Sequence, residues 1–408
     1  MNMDYNSATR LLKEHNQLHV LKFYDTLSKE EQNSLLSQIE SLDFSIIESY
    51  NKHKSEESNI RPVSALQLNT IEQNKKQYEE RGIKAIQAGD LALVLLAGGQ
   101  GTRLGFDGPK GTLNVGRTKE LYIFQLLIEH TLDVVEQSGT WIHFYIMTND
   151  KNYDATTSFF KEHNYFGYNP DYIHFFKQEM VPSVDYNGKI YLEAPGQICL
   201  SPNGNGGWFS SLCKAGYLQL LLDTNTKYIN VFSVDNVLQR IADPVFLGAI
   251  LTEGYASGGK VVKKAYPEEK VGVLCTNNGK PYIVEYYELS DEMRNELDEN
   301  GDYAYNYGVT LNYIFPVDLL MKIMNTEMPL HIVEKAIPHI DEEGTFIKPD
   351  KPNGYKFETL ALDMIAYMNT CLPFEVEREK EFAPIKNATG TDSIETAQAL
   401  LIKNGYTL

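Results

Sequence analysis

The chain has 408 residues, a formal net charge of −18, and 42% apolar and 11% aromatic residues. That length allows two or three domains, and the composition suits a sizeable core. The acidic balance argues against nucleic acid or an anionic membrane as partner, because both need broad positive surface. An anionic small substrate stays open, since local cations such as Lys110, Lys260, Lys263, Lys264 or Lys356 can dominate a cleft.

The first part reads as helices. Met1 to Arg10 is polar and carries no signal-peptide core. Ser28 with Glu31 forms a capping box, and Leu35, Leu36, Ile39 and Leu42 follow at helical spacing. A polar link is expected from Tyr50 to about Asn59, then a second amphipathic helix from Asn69 to about Gln87.

From Asp90 apolar strands alternate with helices. Strands are predicted at Leu91–Ala97, Trp141–Met147, Tyr172–Phe176 and Tyr228–Val234. Helices are predicted at Glu120–Val135, Asn152–His163, Gly206–Leu222 and from Asp243-Pro244 to about Glu253. His143 and His174 fall in strands and read as structural. This alternation implies a doubly wound α/β fold, with a mixed, mostly parallel sheet and ligands beyond the carboxyl ends of the strands.

Gly259 to Glu288 reads as antiparallel strands around an Asn278-Gly279 turn. A helix at Glu358–Met368, a strand near Phe374–Arg378 and a terminal helix at Ser393–Lys403 complete the reading. The expected division is a helical N-terminal segment (1–88), a catalytic domain (89–344) and a small C-terminal domain (345–408). Cys199, Cys213, Cys275 and Cys371 lie far apart, which suits free thiols in a reducing compartment. With no apolar stretch of spanning length, the expected location is the cytoplasm.

The most informative segment is Leu93-Val94-Leu95-Leu96-Ala97-Gly98-Gly99-Gln100-Gly101-Thr102-Arg103-Leu104-Gly105, closed by Pro109-Lys110-Gly111. A buried strand opens into a loop whose glycines permit positive φ and close ligand approach. Consecutive amides there can form an anion nest, with Arg103 and Lys110 as cations. A dinucleotide fingerprint starting at Gly99 needs glycine at Leu104, and a P-loop needs Gly-Lys-Ser/Thr, which Lys110 between Pro109 and Gly111 does not supply. A ligand-free turn is the alternative, although surplus glycines cost stability in such a turn.

This segment resembles the signature of nucleotide-sugar pyrophosphorylases, and its longer form is similar to the eukaryotic-type UDP-N-acetylglucosamine pyrophosphorylase and UDP-sugar pyrophosphorylase branch. Further segments agree in order: Phe175 to Gln178, Pro202 to Gly207, Val234-Asp235-Asn236, Gly272-Val273 with Val284-Glu285-Tyr286, Ile347 to Gly354, and Phe382 to Asn387. The resemblance implies a nucleotidyltransferase of glycosyltransferase-A-like fold that joins UTP to a sugar 1-phosphate with Mg²⁺.

It also implies roles. Arg103, Lys110 and Lys356 would act on phosphates, with Lys348 and Lys351 in the same loop as Lys356. Gly98, Gly99, Gly101, Gly204 and Gln178 would hold the nucleotide. Asn205, Glu285 and Asn306 would contact the sugar, and Asp235 the metal and sugar. One departure is Asn306-Tyr307-Gly308-Val309, where N-acetylglucosamine-type members carry Asn-x-Gly-Asn. N-acetylglucosamine 1-phosphate is the expected sugar, with glucose or galactose 1-phosphate as alternatives. A UDP-sugar-using glycosyltransferase and a non-catalytic nucleotide sensor are the rival classes; a nicotinamide-dependent oxidoreductase fits least.

Overall fold

A computed structural model describes residues 3–49, 59–324, 326 and 328–408. The expected link beginning at Tyr50 lies, as far as residue 58, outside the described residues. Contacts divide the chain into two interleaved units. One comprises Met1–Glu56, Glu179–Gly207 and Met328–Leu360; the other comprises Glu57–Gln178, Trp208–Glu327 and Ala361–Leu408.

The larger unit is built on a sheet with ten strands among the described residues: β1 (Ile60–Pro62), β2 (Leu91–Leu96), β3 (Phe144–Thr148), β4 (Ile173–Lys177), β5 (Tyr228–Ser233), β6 (Ser257–Lys263), β7 (Val273–Asn277), β8 (Lys280–Val284), β9 (Tyr307–Pro316) and β10 (Cys371–Glu375). The path runs β1-β7-β9-β5-β2-β3-β4, with β6 joining β9 to β10 and β8 pairing with β7. Strands β5, β2, β3 and β4 are mutually parallel, whereas β9 is antiparallel to β5 and β6.

All six residues of β2 are buried, as expected for a parallel strand covered on both faces. Leu91, Leu93 and Leu95 face a core shared with helices Ile123–Ser138 and Pro244–Glu253. The opposite face meets Trp208–Lys214 and Leu218–Asp223; the Tyr145 and Tyr217 rings there stand edge to face at 5.3 Å. The fold is therefore the doubly wound α/β architecture read from the sequence.

Several boundaries differ from expectation. The single helix predicted over 206–222 is two, broken at Gly216, whose φ of +90° is left-handed. Glu358 ends a strand, Gly354–Glu358, and the helix predicted from that residue is a 3₁₀ turn, Ala361–Tyr367. The contacts also group the chain differently from three consecutive segments. Helix Leu68–Gln87, expected with the N-terminal helices, packs on Pro244–Glu253 in the sheet unit. Glycines permit this approach: a Cβ at Gly82 would stand 1.9 Å from the Pro244 carbonyl oxygen.

In the smaller unit, the Ser28 capping box opens helix Lys29–Glu40 as expected. Leu35, Leu36 and Ile39 share a core with Val181, Val184, Ile198 and Phe357. Strand Gly354–Glu358 pairs with His331–Lys335 on one side and Val184–Asp185 on the other.

Lys260, a candidate cleft cation by sequence, is instead sealed inside the sheet unit at 1% exposure. Its Nζ lies 2.8 Å from Asp243 Oδ2 and 2.6 Å from Glu381 Oε2. Burial alone would raise the Asp243 carboxyl, but Lys260 and Arg240 hold it below the usual carboxylate range. Removing one member of such a group strands the others without a countercharge. Lys260→Ala is expected to lower unfolding free energy by about 3–5 kcal/mol in denaturant titration; a loss below ~1 kcal/mol would contradict this.

His143 and His174 are structural in the larger unit. The Nδ1 of His143 lies 2.9 Å from Nε2 of His174, and His143 stacks on Tyr172. Burial pushes both imidazoles below their ordinary value, His174 to about 4 with help from His143. The unfolded chain therefore takes up protons first as pH falls, so stability drops between the ordinary value of 6.5 and about 4. The denaturation midpoint should fall between about pH 7 and pH 5, and fall less in His174→Asn; an identical pH dependence in that variant would refute the assignment.

Candidate active site

Strand register does the first work of assembly. Ser233 pairs with Leu96, Leu96 with Met147, and Thr148 with Lys177. Carried past the strand ends, those registers set Asp235, Gly98, Asn149 and Gln178 in one row along the carboxyl edge. The backbone confirms the row, since Gln178 N–H donates to the Thr148 carbonyl at 2.7 Å and Ala97 N–H to Met147 at 2.9 Å.

The glycine loop folds back on itself. Gln100 bridges Pro109, and Lys110 N–H donates to the Gly99 carbonyl at 3.2 Å. A 3₁₀ turn, Thr102–Leu104, fills the tip and ends at Gly105, which is left-handed with φ of +69°. Gly98 and Gly101 serve close packing. A Cβ at Gly98 would lie 2.7 Å from Gln178 Oε1, and one at Gly101 would lie 2.7 Å from the Phe106 ring.

Gly101 therefore departs from its expected ligand role: it is buried beneath Phe106, and its N–H is taken by the Gly108 carbonyl. In contrast, the N–H groups of Gly98, Gly99 and Gln100 donate to no acceptor among the described residues. These N–H groups are the ones the loop leaves open to an anion or a base.

Lys110 is buried, and its Nζ lies 2.6 Å from Asp235 Oδ1. Asp235 is part-exposed, and its side chain makes no other hydrogen bond among the described residues. Arg103 is exposed, with no ion pair among the described residues. Gln178 is buried beside Gly98, as a base-reading amide would have to be. Lys177, just before it, is held above the usual lysine range by its hydrogen bond to Asp150.

The strap Phe382 to Lys386 was read only as part of the resemblance, yet it closes on this row. Ile385 N–H donates to the Asp235 carbonyl at 2.9 Å, and Asn236 Oδ1 accepts from Ala383 N–H at 2.8 Å. Lys386 follows directly. It is half-buried, and its side chain forms no hydrogen bond or ion pair among the described residues. Its motif was the signal that could have singled it out.

Glu285 lies at the end of β8, half-buried. Asn306 just before β9 is buried, and its Oδ1 accepts from Lys264 N–H at 3.0 Å, which takes one of the two acceptor positions of that oxygen. Val309 on β9 is buried next to Gly272. A Cβ at Gly272 would stand 3.5 Å from Val309 Cγ2 and 3.7 Å from Glu285 Oε2. Val309 and Glu285 thus both flank Gly272. Lys263 is exposed near Asp302, and the Lys264 ammonium meets the Pro267 carbonyl, so neither is a free cleft cation.

Gly204, Asn205 and Lys356 belong to the smaller unit. Gly204 is left-handed with φ of +70°, and a Cβ there would strike the Thr359 carbonyl at 2.2 Å. Thr359 N–H donates to Asn203, and Gly206 N–H donates back to Thr359. This locks the Asn203–Gly206 loop to the end of the strand that carries Lys356. Asn353 fixes the start of that strand through bonds to Ile337 and Tyr191. Lys356 is half-buried, whereas Lys348 and Lys351 are exposed.

A doubly wound sheet with an amide-rich loop, a cation and a carboxylate at its carboxyl edge defines a nucleotide-binding α/β enzyme. The chain belongs to the family of UTP–glucose-1-phosphate uridylyltransferases, whose profile matches residues 40–404. It is 37% identical to UDP-N-acetylglucosamine diphosphorylase 2 of Arabidopsis thaliana, covering 98% of this chain and 84% of that protein. It is 34% identical to the UDP-N-acetylglucosamine pyrophosphorylase of Saccharomyces cerevisiae, covering 97% and 89%. Among solved structures, the uridine diphosphate N-acetylglucosamine pyrophosphorylase from Trypanosoma brucei aligns with TM-score 0.83 and 29% identity over 98% of this chain and 84% of that one.

The Gly98 contact gives a direct test. A methyl group there would push Gln178 Oε1, the end of a flexible side chain, off its position. Gly98→Ala is expected to raise KM for UTP roughly tenfold while the melting temperature stays within ~2 °C. A large loss of stability with unchanged KM would contradict it.

Proposed function

We propose that the protein is a UTP:sugar-1-phosphate uridylyltransferase. The observation that carries this is the row of Asp235, Gly98 and Gln178 on the carboxyl edge, with unclaimed amides and Lys110 beside it. In this reading, an oxygen of the sugar 1-phosphate attacks the α-phosphorus of UTP and pyrophosphate leaves. The nucleophile is already an anion near neutral pH, so no general base is needed. The work is to hold two polyanions together and to stabilise charge on the leaving group.

Lys110 supplies a fixed positive charge in a poorly hydrated position, where it acts more strongly than in open solvent. Arg103 reaches outward to steer the distal phosphates. Lys386 adds a third cation on the strap beside Asp235. Gln178 presents an amide able to read the donor and acceptor pattern of a uracil edge. In the sheet unit the resemblance gives Glu285 to the sugar; in the smaller unit, taken by itself, it gives Lys356 to phosphate and Asn205 to the sugar.

Mg²⁺ is part of the proposal. The donor set fits it: Asp235 offers one part-exposed carboxylate, and no cluster of three or more His, Cys, Asp or Glu occurs among the described residues. That suits a cation that takes one carboxylate and fills its other positions with phosphate oxygens and water. When bound, it would neutralise charge on the phosphoryl oxygens.

The sugar is proposed as N-acetylglucosamine 1-phosphate, which the names of the similar proteins support. Val309 keeps glucose and galactose 1-phosphates as the second reading, since an apolar side chain stands where an amide was expected. A cytoplasmic location is proposed from the four free cysteines, Cys199, Cys275 and Cys371 being buried. No helix among the described residues is long and apolar enough to cross a membrane.

The deciding assay is pyrophosphate release from UTP with each of the three sugar 1-phosphates and Mg²⁺. Release that needs both substrates is expected; UDP release from a UDP-sugar, or UTP binding without turnover, would overturn the proposal. Lys110→Ala should lower kcat at least about a hundredfold, and Asp235→Ala should abolish Mg²⁺-dependent turnover. Activity of Lys110→Ala within ~2-fold of the parent would remove Lys110 from the chemistry.

A further inference from the structure

Asn149 and Asn152 follow β3 and lie outside every segment that carried the resemblance. Asn149 N–H donates to Asn152 Oδ1 at 2.9 Å, and Asn152 N–H donates to Asn149 Oδ1 at 3.0 Å. These reciprocal bonds occupy both side-chain oxygens and so fix which end of each amide faces outward. The outward ends are donors aimed at the glycine loop. Asn149 Nδ2 donates to the Gly98 carbonyl at 2.6 Å, and Asn152 Nδ2 reaches the Ala97 and Gly98 carbonyls at 3.3 and 3.4 Å. Both residues are buried, Asn152 to 1% exposure.

A peptide unit is planar and trans, so its carbonyl and N–H point opposite ways. With the Gly98 carbonyl held by two donors, the N–H of Gly99 is turned to the other side. No acceptor among the described residues takes that N–H, and a Cβ on Gly99 would meet nothing within 4 Å. Glycine on both sides of this peptide would otherwise let it rotate with little steric resistance.

We propose that Asn149 and Asn152 are positioning residues that lock the Gly98–Gly99 peptide so that the Gly99 N–H is presented to the bound nucleotide. The inference rests on the uridylyltransferase reading and adds to it the device that orients the loop. A merely structural role would be to close the turn after β3, and serine at 149 separates the two. Its hydroxyl can still accept the Asn152 N–H and keep the turn, but it is too short to reach Gly98.

The test compares Asn149→Ala and Asn149→Ser with the parent by calorimetric titration of UTP, steady-state kinetics for both substrates and thermal melting. Both variants should weaken UTP binding and raise its KM about tenfold, the effect of one misaligned hydrogen bond. KM for the sugar 1-phosphate should stay within ~2-fold, and the serine variant should melt within ~2 °C of the parent. Full recovery of UTP binding by serine, or equal rises in both KM values, would assign the pair to turn closure and overturn the proposal. If the parent itself binds no UTP, the functional reading falls and the inference with it. If the parent binds UTP and both variants bind as well, only the inference falls.

Discussion

Parallel pairing of β5, β2, β3 and β4 is the constraint on which the site depends. Parallel strands end at one edge, and backbone register fixes which residues meet there. A slip of one residue between β2 and β5 would turn Leu91, Leu93 and Leu95 out of their shared core. The same core burial that stabilises the sheet therefore sets the level at which Asp235, Gly98, Asn149 and Gln178 stand. The row is a by-product of packing, and the chemistry is added by loops that begin where the strands stop.

The loops are held by different means. The glycine loop closes through its Gln100–Pro109 bridge and is pinned from β3 by two asparagines. The Asp235 turn is held by the strap Phe382 to Lys386, whose own start is anchored where Glu381 meets the buried Lys260. The deeply buried charges of the sheet unit thus serve the architecture, while Asp235 and Lys386 stay part-exposed. Lys110 lies between these cases: it is buried, yet paired with a carboxylate that solvent can reach.

What the sequence disclosed was mainly local. The continuous apolar run Leu91–Leu96 reads as a buried parallel strand because nothing in it is polar. The Asn278-Gly279 turn is legible because both residues accept positive φ, 50° and 78°. The Ser28 and Ser393 caps are legible because capping is a short-range bond. Long-range facts were not legible. Lys260 looks like any lysine until Asp243 and Glu381 close on it. Gly216 breaks a run that otherwise has helical spacing. The chain enters the smaller unit three times, and each return is fixed by strand pairing such as Gly354 with Asp185. Within the candidate site, the glycine loop, Gln178, Asp235 and Lys110 stand out by motif. Asn149 and Asn152 do not, because their role lies in a carbonyl some fifty residues earlier in the chain.

The central claim is that a uridine nucleotide lies along this carboxyl edge, its base read by Gln178 and its anionic tail met by loop amides and Lys110. A crystal structure of the protein with UTP and Mg²⁺ tests it most directly. The expected result places nucleotide atoms within hydrogen-bond distance of the Gly99 N–H and the Gln178 amide, with Asp235 as the residue that would hold the metal ion. A nucleotide seated elsewhere, with the Gly98–Gln100 amides facing only solvent, would contradict the account.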